Sequence, residues 1–155
     1  MAVDFPKDPG TYGLIFSRPA AGWIQVGKLG RFEFPAGFYV YVGSALGPGG
    51  LAGRLGRHLS QEKRTHWHVD YLSREVTLVE IWYAPGEEIR EHDWAAAAGR
   101  LPGARIAAAG FGASDCRCPA HLFHFMERPV MVHFVPLLAE QGVAARPVQV
   151  ILIAA

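Results

Sequence analysis

Aromatic and β-branched residues crowd into short runs near the start of the chain, Thr11 to Phe16, Trp23 to Val26, Phe32 to Phe34 and Phe38 to Val42. Turn formers separate them: Pro19-Ala20-Ala21-Gly22, Gly27 to Gly30 and Pro35-Ala36-Gly37. The pattern predicts strands of a meander. From Leu51 the apolar period becomes four, with Leu51, Leu55 and Leu59 lining one stripe of a helix after the Gly47-Pro48-Gly49-Gly50 turn. Arg54 and His58 share one side of that helix, and Arg57 lies at its edge. Gly53 and Gly56 each weaken such a helix by about 1 kcal/mol relative to alanine, so either it is tightly packed or its boundary lies elsewhere.

His66 to Leu72 suits a short helix or turn, and Val76 to Tyr83 a central strand with core residues on both faces. Glu87 to Gly99 reads as a second helix, with Ile89, Trp94, Ala95 and Ala98 apolar and Gly99 as its stop. Gly103 to Gly112 is a connection, His121 to Met126 and Val130 to Val135 look strand-like, and Val148 to Ile153 supplies a late strand. The expected fold is α/β (α+β): a small mixed or mainly antiparallel central sheet flanked by helices. One domain over 1–155 is expected, because 155 residues with 50% hydrophobic content build one core and leave little for a second.

A net charge of +1 neither supports nor excludes a nucleic-acid partner; any phosphate would have to meet a local basic surface. Two cysteines one residue apart are no disulfide framework, and Met1 to Gly10 lacks a basic region followed by an apolar run, so a cytoplasmic protein is expected. No stretch approaches 18 consecutive apolar residues, and no membrane partner is expected.

Chemistry-bearing residues are dispersed but ordered. Gly10-Thr11-Tyr12 and Tyr41-Val42-Gly43 sit on strand-like segments; Ser44-Ala45, the run Arg54-Leu55-Gly56-Arg57-His58, and Glu91-His92-Asp93-Trp94 follow. This set resembles the GIY-YIG nuclease superfamily from Gly10 to about Gly99, with the two tripeptides in place of its signatures. Closer is the resemblance to a small uncharacterised subgroup, called DUF123 or Uri-like. It is carried by Gly27-Lys28-Leu29-Gly30, Phe34-Pro35-Ala36-Gly37, His66-Trp67-His68-Val69-Asp70-Tyr71 and Gly110-Phe111-Gly112-Ala113-Ser114-Asp115-Cys116-Arg117-Cys118-Pro119. Residues 10–99 would then be the catalytic core and 100–155 a subgroup-specific extension. The resemblance implies a metal-dependent endonuclease acting on phosphodiester bonds, with DNA favoured over RNA.

Phosphodiester hydrolysis needs an activated water, compensation of charge on the non-bridging oxygens and stabilisation of the leaving oxygen. Tyr12 is the first choice for a phenolate-like base, with Tyr41 assisting or exchanging that role. A phenol of reference pKa ~10 needs a nearby cation to serve at neutral pH. Arg54 would hold the phosphate through its planar donor fork, His58 would donate to it or relay a proton, and Ser44 would add a hydrogen bond. Glu91 would be the ligand of one divalent cation, Mg²⁺ or Mn²⁺, a hard oxygen donor for a cation that also contacts phosphate.

Further candidates lie outside that set. Lys63, Arg64, His66 and His68, interleaved with Trp67 and preceded by Arg57, either track a phosphate backbone while Trp67 stacks on a base, or form a wet connection anchored by a buried Trp67. Lys28 and Arg31 are similar phosphate-contact candidates or a solvated turn. Cys116, Cys118, His121 and His124 offer zinc-type donors, but only Arg117 separates the cysteines where structural knuckles usually have two residues. On that spacing zinc is not expected, and a structural or substrate-contacting loop or redox-sensitive thiols are the alternatives. The chief alternative function is a nucleic-acid-binding repair accessory without catalysis; an enzyme acting on a small phosphate ester is a third.

Overall fold

The computed structural model describes residues 3–60, 65–88, 90–113, 116–142 and 147–153. Its elements run β1 (Gly10–Arg18), β2 (Gly22–Val26), β3 (Gly30–Phe34), β4 (Gly37–Ala45), α1 (Gly50–Leu59), α2 (His68–Ser73), β5 (Thr77–Pro85), α3 (Glu91–Ala98), β6 (Leu122–Phe125), α4 (Met131–Glu140) and β7 (Gln149–Leu152). Five strands form one sheet in the order β6-β4-β1-β5-β7, every neighbouring pair antiparallel. The expected antiparallel central sheet flanked by helices is therefore present.

Side chains alternate across this sheet and make two apolar layers. On one face Tyr12, Leu14, Phe16, Tyr39, Tyr41 and Ile81 pack with Leu51 and Leu55 of α1, Val69 and Leu72 of α2, and Phe111. On the other Ile15, Val40, Val42, Trp82 and Phe125 pack with Trp94, Ala95 and Ala98 of α3 and Phe134 and Leu138 of α4. The small side chains of α3 bring its backbone close to the sheet, which matters because its first turn carries Glu91 and His92.

Three expectations about the elements need correction. The four early strands are not one meander: β1 and β4 pair directly, and β2 with β3 forms a separate two-stranded sheet. Only Ile24, Val26 and Phe34 of that hairpin are buried, as suits a flap laid over a core by one face rather than a strand covered on both. Val130 to Val135 lies largely in α4, where Phe134 and Leu138, one turn apart, are buried and Val132 and Val135 are exposed. Phe134 packs at a tilt against Trp82 and edge-on against Trp94, at centroid distances of 5.0 and 5.1 Å, and this contact outweighs the strand preference of the valines. α3 starts at Glu91, later than Glu87; Ile89 lies outside the described residues.

α1 begins tightly. Gly50 has φ +57 and lies so close to the carbonyls of Lys7 and Asp8 that a β-carbon would collide with them. Asp8 and Pro6 carbonyls accept from the N–H groups of Leu51 and Ala52, which no helical carbonyl can reach. Leu51 and Leu55 then seat the helix on the sheet despite Gly53 and Gly56.

Candidate functional site

Antiparallel pairing sets Tyr12 opposite Gly43 and Leu14 opposite Tyr41, which puts both phenols on the same face of the sheet, under α1. The missing side chain at Gly43 makes this possible: a β-carbon there would stand 2.5 Å from the Tyr12 hydroxyl. His58, in the last turn of α1 and buried, meets that hydroxyl with Nε2 at 2.7 Å.

Tyr12, Tyr41, Gly43, Ser44, Arg54, Trp67, Glu91, His92, Gly112, Cys116 and His121 surround a polar cavity of about 260 Å³. Arg54 donates through Nη1 to the Ser44 carbonyl at 3.0 Å, so Ser44 meets it through backbone. Burial pushes the Tyr12 phenol well above the ordinary tyrosine value, against the opposing pull of Arg54 by charge and hydrogen bonding; Glu91 adds to the rise. Tyr41 is raised by the same burial, then by Tyr12 and Glu91. Both phenols are thus neutral groups at rest, and one hydrogen bond of 2.7 Å joins the Tyr12 hydroxyl to His58 Nε2.

Behind Arg54 stands a stack. The guanidinium groups of Arg54 and Arg57 both lie over the Trp67 ring, at 4.3 and 4.0 Å from its centroid. Arg57 is held by Asp70, accepting from Nη1 at 3.0 Å and Nη2 at 2.8 Å, while Asp70 also accepts from the backbone N–H of His66 and of Trp67, each at 2.8 Å. Asp70 is wholly buried, which by itself would raise its pKa; the Arg57 bonds and these two amides outweigh burial and hold it below the usual aspartate value. Asp70 was not singled out for this role by its sequence position, although an acid at the third position of a short helix is a recognised capping signal.

The other candidates are placed as follows. His68 accepts from the Gly112 amide through Nδ1 at 2.8 Å, and burial lowers its pKa. His66 is exposed and packs edge-on against Trp67. Lys28 and Arg31 are exposed on the β2-β3 hairpin and do not line the cavity, Arg31 lying 5.1 Å over Trp23. Lys63 and Arg64 lie outside the described residues, as do Ser114 and Asp115. His124 turns away, its Nε2 donating to the Ala36 carbonyl at 2.9 Å.

His92 stands where His124 was expected. His92, Cys116, Cys118 and His121 bring one donor atom each within 4.8 Å of one another. Cys116 Sγ is 3.3 Å from His121 Nε2, and His92 Nδ1 is 3.3 Å from Cys118 Sγ. Two thiols and two imidazoles are a zinc ligand set, softer than the oxygen cage that Mg²⁺ or Mn²⁺ requires. The expectation of one such hard cation, with zinc discounted, is overturned. The hard cation rested on Glu91 as an oxygen donor and the discounting of zinc on the Cys-Arg-Cys spacing, whereas the completing zinc-type ligand comes from α3, far upstream. Among the described residues this group is the one that gathers three or more such donors. Burial, aided by Cys116 and Glu91, pushes the Cys118 thiol up to about 11, a cost that a cation between the sulfurs would reverse.

No helix among the described residues is long and apolar enough to cross a membrane. No curated protein and no solved structure matches the chain. The family profile described as "Domain of unknown function DUF123" matches residues 11–142. That profile spans most of the 155 residues, and the chain belongs to the DUF123 family.

Proposed function

We propose that this chain is an endonuclease that hydrolyses phosphodiester bonds in DNA and depends on a metal for its competent state. The observation that carries the reading is the convergence of Arg54, Glu91 and the Tyr12–His58 pair on one polar cavity at the surface. Arg54 presents its donor fork to the non-bridging oxygens and compensates the charge that grows there. His58 takes the Tyr12 proton as Tyr12 takes one from the attacking water, which lets a buried phenol relay a proton without resting as phenolate; the P–O bond to the leaving oxygen breaks as the new one forms, and that oxygen takes its proton from solvent. Glu91, which lines the same cavity, orients that water. The aromatic–cation stack of Arg54, Trp67 and Arg57 fixes the arginine fork, which limits the reorganisation needed when phosphate arrives. A zinc ion at the Cys/His set would be closed by four protein ligands and would supply a structural tie. The preference for DNA rests on the resemblance of the two signatures to the GIY-YIG nucleases.

The test is cleavage of a panel of single-stranded, duplex and branched DNA and of RNA by zinc-loaded protein, with other divalent cations added in turn. Cutting of DNA that is lost in Arg54→Ala is expected. Binding across the panel without cutting by folded protein would refute the enzyme reading in favour of an accessory that binds nucleic acid.

A further inference from the structure

His121 faces two ways. Its Nε2 lies 3.3 Å from Cys116 Sγ, on the side of the Cys/His set, and its Nδ1 lies 3.6 Å from Glu91 Oε1, on the side of the cavity. The residue is 1% exposed, and Nδ1 is a buried nitrogen without a hydrogen-bond partner. Such an atom is costly to leave unmade, and the carboxylate it faces needs to approach by less than 1 Å to satisfy it. A neutral imidazole that gives Nε2 to a metal carries its proton on Nδ1, and a carboxylate is the usual acceptor of that proton.

From this geometry we propose that Glu91 is the outer partner of a zinc centre held by His92, Cys116, Cys118 and His121, so that metal binding fixes the Glu91 carboxylate on the wall of the cavity. The chain is built to transmit that link. His121 is pinned at its backbone, its N–H donating to the Phe111 carbonyl and its carbonyl accepting from Val42 of β4, both at 2.8 Å. Its ring is therefore anchored to the strand that carries Tyr41 and Gly43. Glu91 and His92 are consecutive in the first turn of α3, so one turn of helix supplies both an inner ligand and the outer carboxylate. The Cys118 amide donates to Cys116 Sγ at 3.4 Å, a bond that favours a thiolate at that sulfur. Removing the metal frees the 116–121 loop and the start of α3 together, and the carboxylate loses its registration against Tyr12 and Arg54. That the cavity takes phosphate rests on the function proposed above; the coupling of Glu91 to zinc does not.

The experiment is a competition titration of zinc between a chromophoric chelator and four proteins: wild type, Glu91→Ala, Glu91→Gln and, as a control for charge near the same helix, Glu87→Ala. Glu91→Ala is expected to weaken zinc binding about 10–100-fold, the usual cost of an outer-shell partner. Glu91→Gln, whose amide oxygen still accepts from Nδ1, should fall between, and Glu87→Ala should match wild type. In ¹⁵N spectra of the zinc-loaded proteins, the His121 Nδ1 proton should be protected from exchange in wild type and lose that protection in Glu91→Ala. Unchanged zinc affinity in Glu91→Ala or Glu91→Gln would overturn the proposal, as would an Nδ1 proton indifferent to residue 91. Should Glu91→Ala not fold, Glu91→Gln against wild type decides by zinc affinity, which must fall below that of wild type. Zinc affinity that depends on Glu91 in a protein that cuts no substrate would sink the nuclease reading alone. Metal-free protein that cuts as fast as loaded protein would sink the coupling and the metal dependence while leaving phosphodiester hydrolysis in place.

Discussion

Asp70→Asn isolates one buried carboxylate from everything else in the molecule. The wild-type group accepts four hydrogen bonds at 2.8–3.0 Å, two from Arg57 and two from backbone amides, and both amides go to Oδ2. Asparagine keeps a carbonyl oxygen for the amides but turns its NH₂ toward Arg57 Nη1, donor against donor. Charge-assisted bonds are worth about 1.5–3 kcal/mol each, and removing one member of a buried pair costs about 3–5 kcal/mol. The Arg57 side chain is 25% exposed and finds some water when released, so we expect about 3 kcal/mol at neutral pH. For a chain of this length that lowers Tm by roughly 6–12 °C. The folded pKa of Asp70 is depressed, so its contribution is full above the usual aspartate pKa and fades as pH falls through the folded value. Urea denaturation of both proteins as a function of pH measures this: the gap should be widest near neutrality and narrow below about pH 4. A gap under about 1 kcal/mol at neutral pH, or one that stays constant into acid, refutes the reasoning. Because Arg57 and Arg54 both pack on Trp67, the variant should also bind a DNA phosphate more weakly while its far-ultraviolet spectrum is unchanged.

Tyr12→Phe deletes only the hydroxyl held by His58, and should cost about 1 kcal/mol of stability while abolishing most single-turnover cleavage; retained cleavage removes Tyr12 from the relay. Arg54→Ala should slow cleavage by about 10²–10³-fold, with Arg54→Lys recovering little because an ammonium lacks the fork; full activity in either denies it the phosphate. Phe134→Ala, emptying the space between Trp82 and Trp94, should cost about 3–5 kcal/mol by denaturation, and a loss under 1 kcal/mol would mean that α4 contributes little to that face of the core.

How far the fold could be read from the sequence varied with the range of the forces involved. β1 and β4 were legible from their crowded aromatic and β-branched residues, which are buried on both faces, and α1 from an apolar period of four that coincides with the face it buries. α4 was not, since its valines speak for a strand and what decides the matter is the contact of Phe134 with two tryptophans from β5 and α3. The same division runs through the site. Tyr12, Tyr41, Arg54 and Glu91 could be named because they sit within short motifs. The zinc set could not be completed, because His92 of α3 meets Cys116, Cys118 and His121 only in the folded chain. Asp70 was visible as a residue but not as the support of Arg57, a relation that exists only between two elements.

The void at Gly43 ties Gly10-Thr11-Tyr12 and Tyr41-Val42-Gly43 together as a single steric unit. The oxygen of one occupies the volume that any side chain of the other would need, since a β-carbon at position 43 would stand 2.5 Å from the Tyr12 hydroxyl. Mutational paths through this site are therefore ordered: residue 12 must shrink before residue 43 can grow, and the reverse order passes through a protein whose phenol is driven off His58. The Tyr12 Cζ would stand 2.6 Å from the same β-carbon, so phenylalanine does not clear it, and Gly43→Ala should instead be less harmful together with Tyr12→Ala than the separate effects imply.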